Sequence, residues 1–182
     1  MAESIEYKVV RNWGTVEMRK YPPMVLATVQ SSYDDIAFSL LFRYITGNNE
    51  AKGKLAMTAP VISPASGQRL EMTAPVLSDS EGFSFVLPPG TDIANAPRPL
   101  DPRVKLSAIS ARYVATIRFG GKAYLRDVLE NEGTLLNVLK EKGVVVIGRP
   151  FLMRYNSPFT PGFLRHNEVG VEVRGEDNVK DG

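Results

Sequence analysis

The chain has 182 residues, 43% apolar and 23% charged, and contains no cysteine. That length suffices for one domain whose core buries roughly 70% of the unfolded surface, so no staple is required, and disulfides, thiolate metal sites, iron-sulfur clusters and a cysteine nucleophile are excluded. The net charge of +2 arises from 22 basic and 20 acidic residues without any basic block, so nothing points to nucleic acid as a partner. No run of about 18 apolar residues is present, which argues against a membrane-spanning helix. The opening MAESIEYKVVRNW lacks an apolar core, so neither a signal nor a transit peptide is expected, and a cytoplasmic location follows as the expectation.

Periodicity predicts strands over 5–10, 15–20 and 24–30, the last (MVLATVQ) apolar enough to be central. Ser32, Tyr33, Asp34 and Asp35 supply helix-start chemistry, and the helix runs to the stop signal TGNN at 46–49. Strands over 55–63 and 69–77 follow, joined by the turn residues PASG, then FSFVLP at 83–88 and the long proline-rich loop PGTDIANAPRPLDP. Helix over 122–142, a strand-rich stretch at 144–155 and an alternating strand at 167–173 complete the chain. The residues beyond 175 read as a polar tail.

Two internal similarities stand out. KLAMTAPV (54–61) returns as RLEMTAPV (69–76), and the stretch from Val16 to Val29 aligns without gaps on Val104 to Ile117, 88 residues later. The second similarity predicts one domain over 1–175 made of pseudo-repeats, about 5–88 and 100–174, each strand-strand-helix-strand-strand. The octapeptides read as neighbouring strands kinked at Pro60 and Pro75, with Met57 and Met72 as core filler.

The helices differ. In 122–142, Leu125, Val128, Leu129, Leu135, Leu136 and Leu139 form one stripe suited to docking on a sheet. In the first helix, Ile36, Ala37, Phe38, Leu40, Leu41, Phe42, Tyr44 and Ile45 sweep an arc of roughly 240°, more than one sheet contact needs. Either the proline loop or the N-terminal strands cover the surplus, or it faces a large flat apolar ligand or a partner protein.

VEMRKYPPMVLATV, LFRYITGNNEAKGKLAMTAPV, MTAPVL, FSFVLP, RFGG and YNSPFTPGFLRHNEVGVEV, in that order over about residues 5–174, resemble the SOUL heme-binding protein family. The resemblance implies an α+β fold: two pseudo-repeats in a twisted, partly closed, barrel-like antiparallel-rich sheet of eight or nine strands, with two main helices. It implies a non-enzymatic carrier or buffer, monomeric or weakly dimeric, for heme or another porphyrin. The ligand is expected in a shallow apolar groove flanked by the first helix, through Phe38, Leu41, Phe42 and Arg43, and by the loop from Tyr155 to Phe163, through Tyr155, Phe159 and Phe163. Arg43, Arg154 and Arg165 are candidates for the propionates, and each reads equally as a solvated surface arginine. Cysteine is absent and the single histidine, His166, stands where family members commonly carry arginine; His166 and the phenols Tyr155 and Tyr44 are the candidate iron ligands, and capture by apolar contact without a dedicated histidine is expected.

Two other readings use the same features. The apolar helix face is also suited to a protein partner, and the related effector-binding scaffold would place a carboxylate, Glu168 or Glu71, beside an aromatic groove to recognise or hydrolyse a small molecule. For Glu168 the simpler expectation is an ion pair with Arg165 or Arg154. No Ser/His/Asp set, phosphate loop or metal-ligand cluster supports an enzyme.

Overall fold

Short alternating segments bounded by Gly, Pro and Asn become strands, and the two long apolar-periodic segments become helices. The computed structural model describes residues 3–51, 67–80, 82–156 and 159–175. In chain order its elements are β1 (Glu3–Ser4), β2 (Lys8–Asn12), β3 (Val16–Tyr21), β4 (Met24–Val29), α1 (Asp34–Ile45), β5 (Asn49–Glu50), β6 (Thr73–Ser78), β7 (Phe83–Val86), β8 (Arg98–Pro99), β9 (Val104–Ile109), β10 (Arg112–Gly120), α2 (Leu125–Glu141), β11 (Phe151–Arg154) and β12 (His166–Val173). They form an α+β fold whose strand pairings within each unit are antiparallel among the described residues, apart from the short parallel contact of β1 with β6.

The chain divides into two compact units, Met1–Ile5 with Pro23–Ser110, and Glu6–Pro22 with Ala111–Gly182. In the first, β4 lies between β7 and β9, and β6 extends the sheet beyond β7. Alternate residues Val25, Ala27 and Val29 of β4 and Phe83 and Phe85 of β7 form a core with Ala37, Leu40, Leu41, Tyr44 and Ile45 of α1. In the second unit β10 lies between β3 and β12, with β2 on β3 and β11 on β12. Val16, Met18, Ala115, Ile117, Val169 and Val171 meet Leu135 and Leu139 of α2 in its core. By the same alternation Glu17, Arg19 and Tyr21, Thr116 and Arg118, and His166 and Glu168 lie on the opposite face of that sheet.

The 88-residue offset maps β3 onto β9 and the start of β10 onto β4. Within each unit, a central second strand pairs with a first strand from the other sequence repeat, β4 with β9 and β10 with β3. The compact units therefore cut across the sequence repeats at Pro22 and Ser110.

Several expectations shift. The arc on α1 is mostly core: its second side is closed by Leu70 and Ala96, Tyr44 donates a 2.6 Å hydrogen bond to the Pro97 carbonyl, and Leu70 N–H donates to the Ile45 carbonyl at 2.7 Å. The proline loop thus covers part of the surplus, and Ile36 and Phe42 stay exposed. The strand expected over 5–10 begins at Lys8, and the one expected over 69–77 begins at Thr73. Residues 68–70 instead serve the end of α1, where the buried Asn49 side chain bonds both Gln68 N–H and the Gln68 carbonyl at 2.8 Å. An irregular register between Thr73 and Val76 of β6 brackets Pro75, as a proline that cannot donate to the ladder requires. On α2, Leu125 and Leu129 stand exposed, because the helix turns Leu135, Leu139 and parts of Val128, Leu136 and Val138 to the sheet. The strand over 55–63, with Met57 and Pro60, and the tail from 176 lie outside the described residues.

Candidate functional site

Acids in the first turn, Asp34 and Asp35, and Arg43 in the last turn suit the α1 dipole. Its C-terminus closes when Thr46 Oγ1 donates to the Phe42 carbonyl at 2.7 Å and Asn48 N–H donates to the Arg43 carbonyl at 2.9 Å. Ile36 is 50% exposed and Phe42 47%, while Phe38 is half-buried. Phe38 and Phe42, one turn apart, stack with centroids 6.0 Å apart, and Phe38 meets Phe85 edge-on at 5.3 Å. The exposed Arg43 follows directly, so the outer face of α1 carries an aromatic pair rooted in the core and a solvent-facing guanidinium. Leu41 is corrected here: it is 0% exposed, sealed beneath the helix, and cannot touch a ligand on that face. The Tyr44 hydroxyl, also a candidate iron ligand by sequence, is held by the Pro97 carbonyl, and burial pushes its phenol up to about 12.

The second unit carries a polar cluster on its α2-distal face. Arg19 Nη1 and Nη2 donate to the two carboxylate oxygens of Glu168 at 2.7 Å each, Nη1 also reaches the Tyr21 hydroxyl at 3.0 Å, and Nε donates to Glu17 at 2.9 Å. The Tyr155 hydroxyl donates to Glu168 Oε2 at 2.6 Å, and the Tyr7 ring caps the Arg19 guanidinium at 4.1 Å. Both charges are almost fully withdrawn from water, with side chains 5% and 4% exposed. Burial alone would raise the Glu168 carboxyl, but the hydrogen bonds from Arg19 and Tyr155 outweigh it and hold the group below its ordinary value. Burial, with the Glu168 carboxylate beside it, pushes the Tyr155 phenol up, so it stays protonated. The Tyr155 hydroxyl, a candidate iron ligand by sequence, is thus engaged with Glu168. Its ring instead stacks on His166 at 4.4 Å, and burial followed by the nearby Arg118 lowers the His166 pKa, leaving a neutral imidazole.

Beside this cluster opens a cleft of about 560 Å³ lined by Tyr7, Glu17, Arg19, Arg118, Phe119 and His166, among others. The sequence reading named His166 and Glu168 but missed Arg19, Tyr7 and Arg118. Arg19 and Glu168 lie 149 positions apart, so nothing local announces their pairing; only the alternation in VEMRKY, which sends Arg19 away from Met18, was available as a signal. The expected partners differ accordingly: Arg165 Nε donates to the Thr160 carbonyl at 2.7 Å, and Glu71 is exposed. Phe159 and Phe163 are strongly exposed on the loop before β12. Among the described residues, no group of three or more His, Asp or Glu side chains is arranged to hold a metal ion, and no helix is long and apolar enough to cross a membrane.

A family model described as SOUL heme-binding protein matches residues 2–172. The chain is 30% identical over 174 residues to Heme-binding protein 2 of Mus musculus, covering 92% of this chain and 82% of the relative. It is 32% identical over 173 residues to Heme-binding protein 2 of Homo sapiens, covering 90% and 80%. Among solved structures, a hydrolase from Listeria innocua superposes with a TM-score of 0.56 at 11% identity, covering 91% of this chain and 94% of that one. The EcmrR C-terminal domain gives 0.50 at 11% identity, covering 88% and 98%. At such identity these two likenesses bear on the fold alone, whereas the family model spans nearly the whole sequence. The chain belongs to the SOUL heme-binding protein family.

Proposed function

We propose that the chain binds heme or a related tetrapyrrole as a non-enzymatic carrier or buffer, and works as a cytoplasmic monomer or weak dimer. The porphyrin lies on the outer face of α1, its ring against Phe42 and Phe38 and a propionate toward Arg43. The observation that carries this reading is the exposed Phe38–Phe42 stack beside Arg43, on a helix whose other large apolar side chains, apart from Ile36, are buried. An apolar π-surface edged by a guanidinium fits a macrocycle that is apolar on its faces and anionic at one rim. A bound heme would supply an iron centre; α1 has no His, Cys or Met to ligate it, so apolar contact and the propionate carry the affinity.

Titration with hemin and with metal-free protoporphyrin tests this. Both pigments bind, with a Soret shift for hemin, and Phe42→Asp weakens both by about tenfold or more, in line with the loss of one aromatic contact. His166→Ala leaves the hemin spectrum unchanged. Binding of hemin alone, abolished by His166→Ala, overturns the reading.

A further inference from the structure

Among the described residues, the sheet face that holds Arg19 and Glu168 carries a cation for which its own acids have no room. Arg118 on β10 stands directly opposite Glu168 on β12 in the antiparallel register. Cross-strand opposite charges ordinarily pair. Here, however, both Glu168 oxygens accept from Arg19 and one also from Tyr155, while Glu17 is bonded to the Arg19 Nε. Arg118 is exposed and forms no salt bridge among the described residues. Arg19 is no substitute anion receptor, since four of its five N–H donors are engaged and Tyr7 covers its face. The cleft these residues line falls within the ~300–1,000 Å³ typical of small-molecule sites, and its walls include the rings of Tyr7, Phe119 and His166.

We propose that this cleft is a binding site for a planar aromatic monocarboxylate, its carboxylate on Arg118 and its ring among Tyr7, Phe119 and His166. A guanidinium forks naturally onto a carboxylate. A phosphate dianion is disfavoured, because Glu17 and Glu168 stand beside Arg118 and would repel the second negative charge. The site lies wholly within the second unit and uses no residue of α1, so it goes beyond the tetrapyrrole reading and does not depend on it.

The probes are 1-naphthoate, its neutral isostere 1-naphthamide, 1-naphthylmethylammonium and inorganic phosphate, titrated into the full chain by calorimetry and by the amide NMR shifts of β3, β10 and β12. Naphthoate binds and shifts those strands; the amide and phosphate bind about tenfold more weakly or not at all, as expected when one charge-assisted contact is lost. Arg118→Ala reproduces the loss while leaving the thermal midpoint unchanged, and Arg118→Lys recovers part of it. Phe42→Asp, aimed at the porphyrin face, leaves naphthoate binding intact, and saturating naphthoate leaves hemin binding intact. Equal affinity for acid and amide, tighter binding of the ammonium, unchanged affinity in Arg118→Ala, shifts confined to other strands, or no naphthoate binding at millimolar concentration would each overturn the proposal.

Discussion

Arg19 and Glu168 show how an isolated pair of side chains acquires a fixed role. A buried ion pair is costly to desolvate and tolerable only when its remaining polar atoms are satisfied, and here Tyr21, Glu17 and Tyr155 satisfy them. Breaking one side strands a buried charge. Arg19→Met or Glu168→Leu alone should each cost about 3–5 kcal/mol in urea unfolding, and the double variant should cost clearly less than the sum of the two. Acid should act through the same carboxylate. Because its folded pKa is lowered, the stability it supplies is complete above the ordinary value of 4.5 and is lost as pH falls through the folded value. His166 acts earlier in the same direction: its lowered pKa favours the neutral ring, so stability declines as pH falls below 6.5 toward its folded value. Urea melts from neutral pH down to about pH 3 should show both losses, with the upper one absent in His166→Ala and the lower one absent in Glu168→Gln, whose overall stability is reduced.

Elements are where periodicity succeeded and where it overreached. The 240° arc of α1 was legible, and so was the proline loop, but whether that loop covers the helix depends on contacts such as Tyr44 to Pro97, 53 residues apart, which periodicity does not encode. The arc accordingly splits by function. Leu41→Ala should destabilise the protein by about 2–5 kcal/mol through the cavity it leaves. Tyr44→Phe should cost about 1–3 kcal/mol by stranding the Pro97 carbonyl. Phe42→Asp should leave the thermal midpoint nearly unchanged while weakening porphyrin binding, because its ring is half in water. On α2 the stripe was too generous for a simpler reason: a helix contacts a sheet along a narrow strip, and its first turn carries Leu125 beyond it.

At the scale of the whole molecule, the order of helices and most strands, and the family, were readable from the chain, since each rests on local patterns and on motifs in fixed order. The repeated octapeptide contributed to the family resemblance, while the cleft proved to be lined from β3, β10, β12, the β2–β3 turn and the segment before β2. The sequence by itself determined the absence of thiol chemistry, the two helices, the alternating strands and the 88-residue offset, because composition and periodicity are properties of neighbours along a chain. Only the tertiary structure decided which first strand pairs with which second strand, that Arg19 and not Arg154 or Arg165 neutralises Glu168, and that Arg118 is left over. Those outcomes depend on which side chains the sheet register brings face to face across 50 to 149 residues, and no local pattern carries that information.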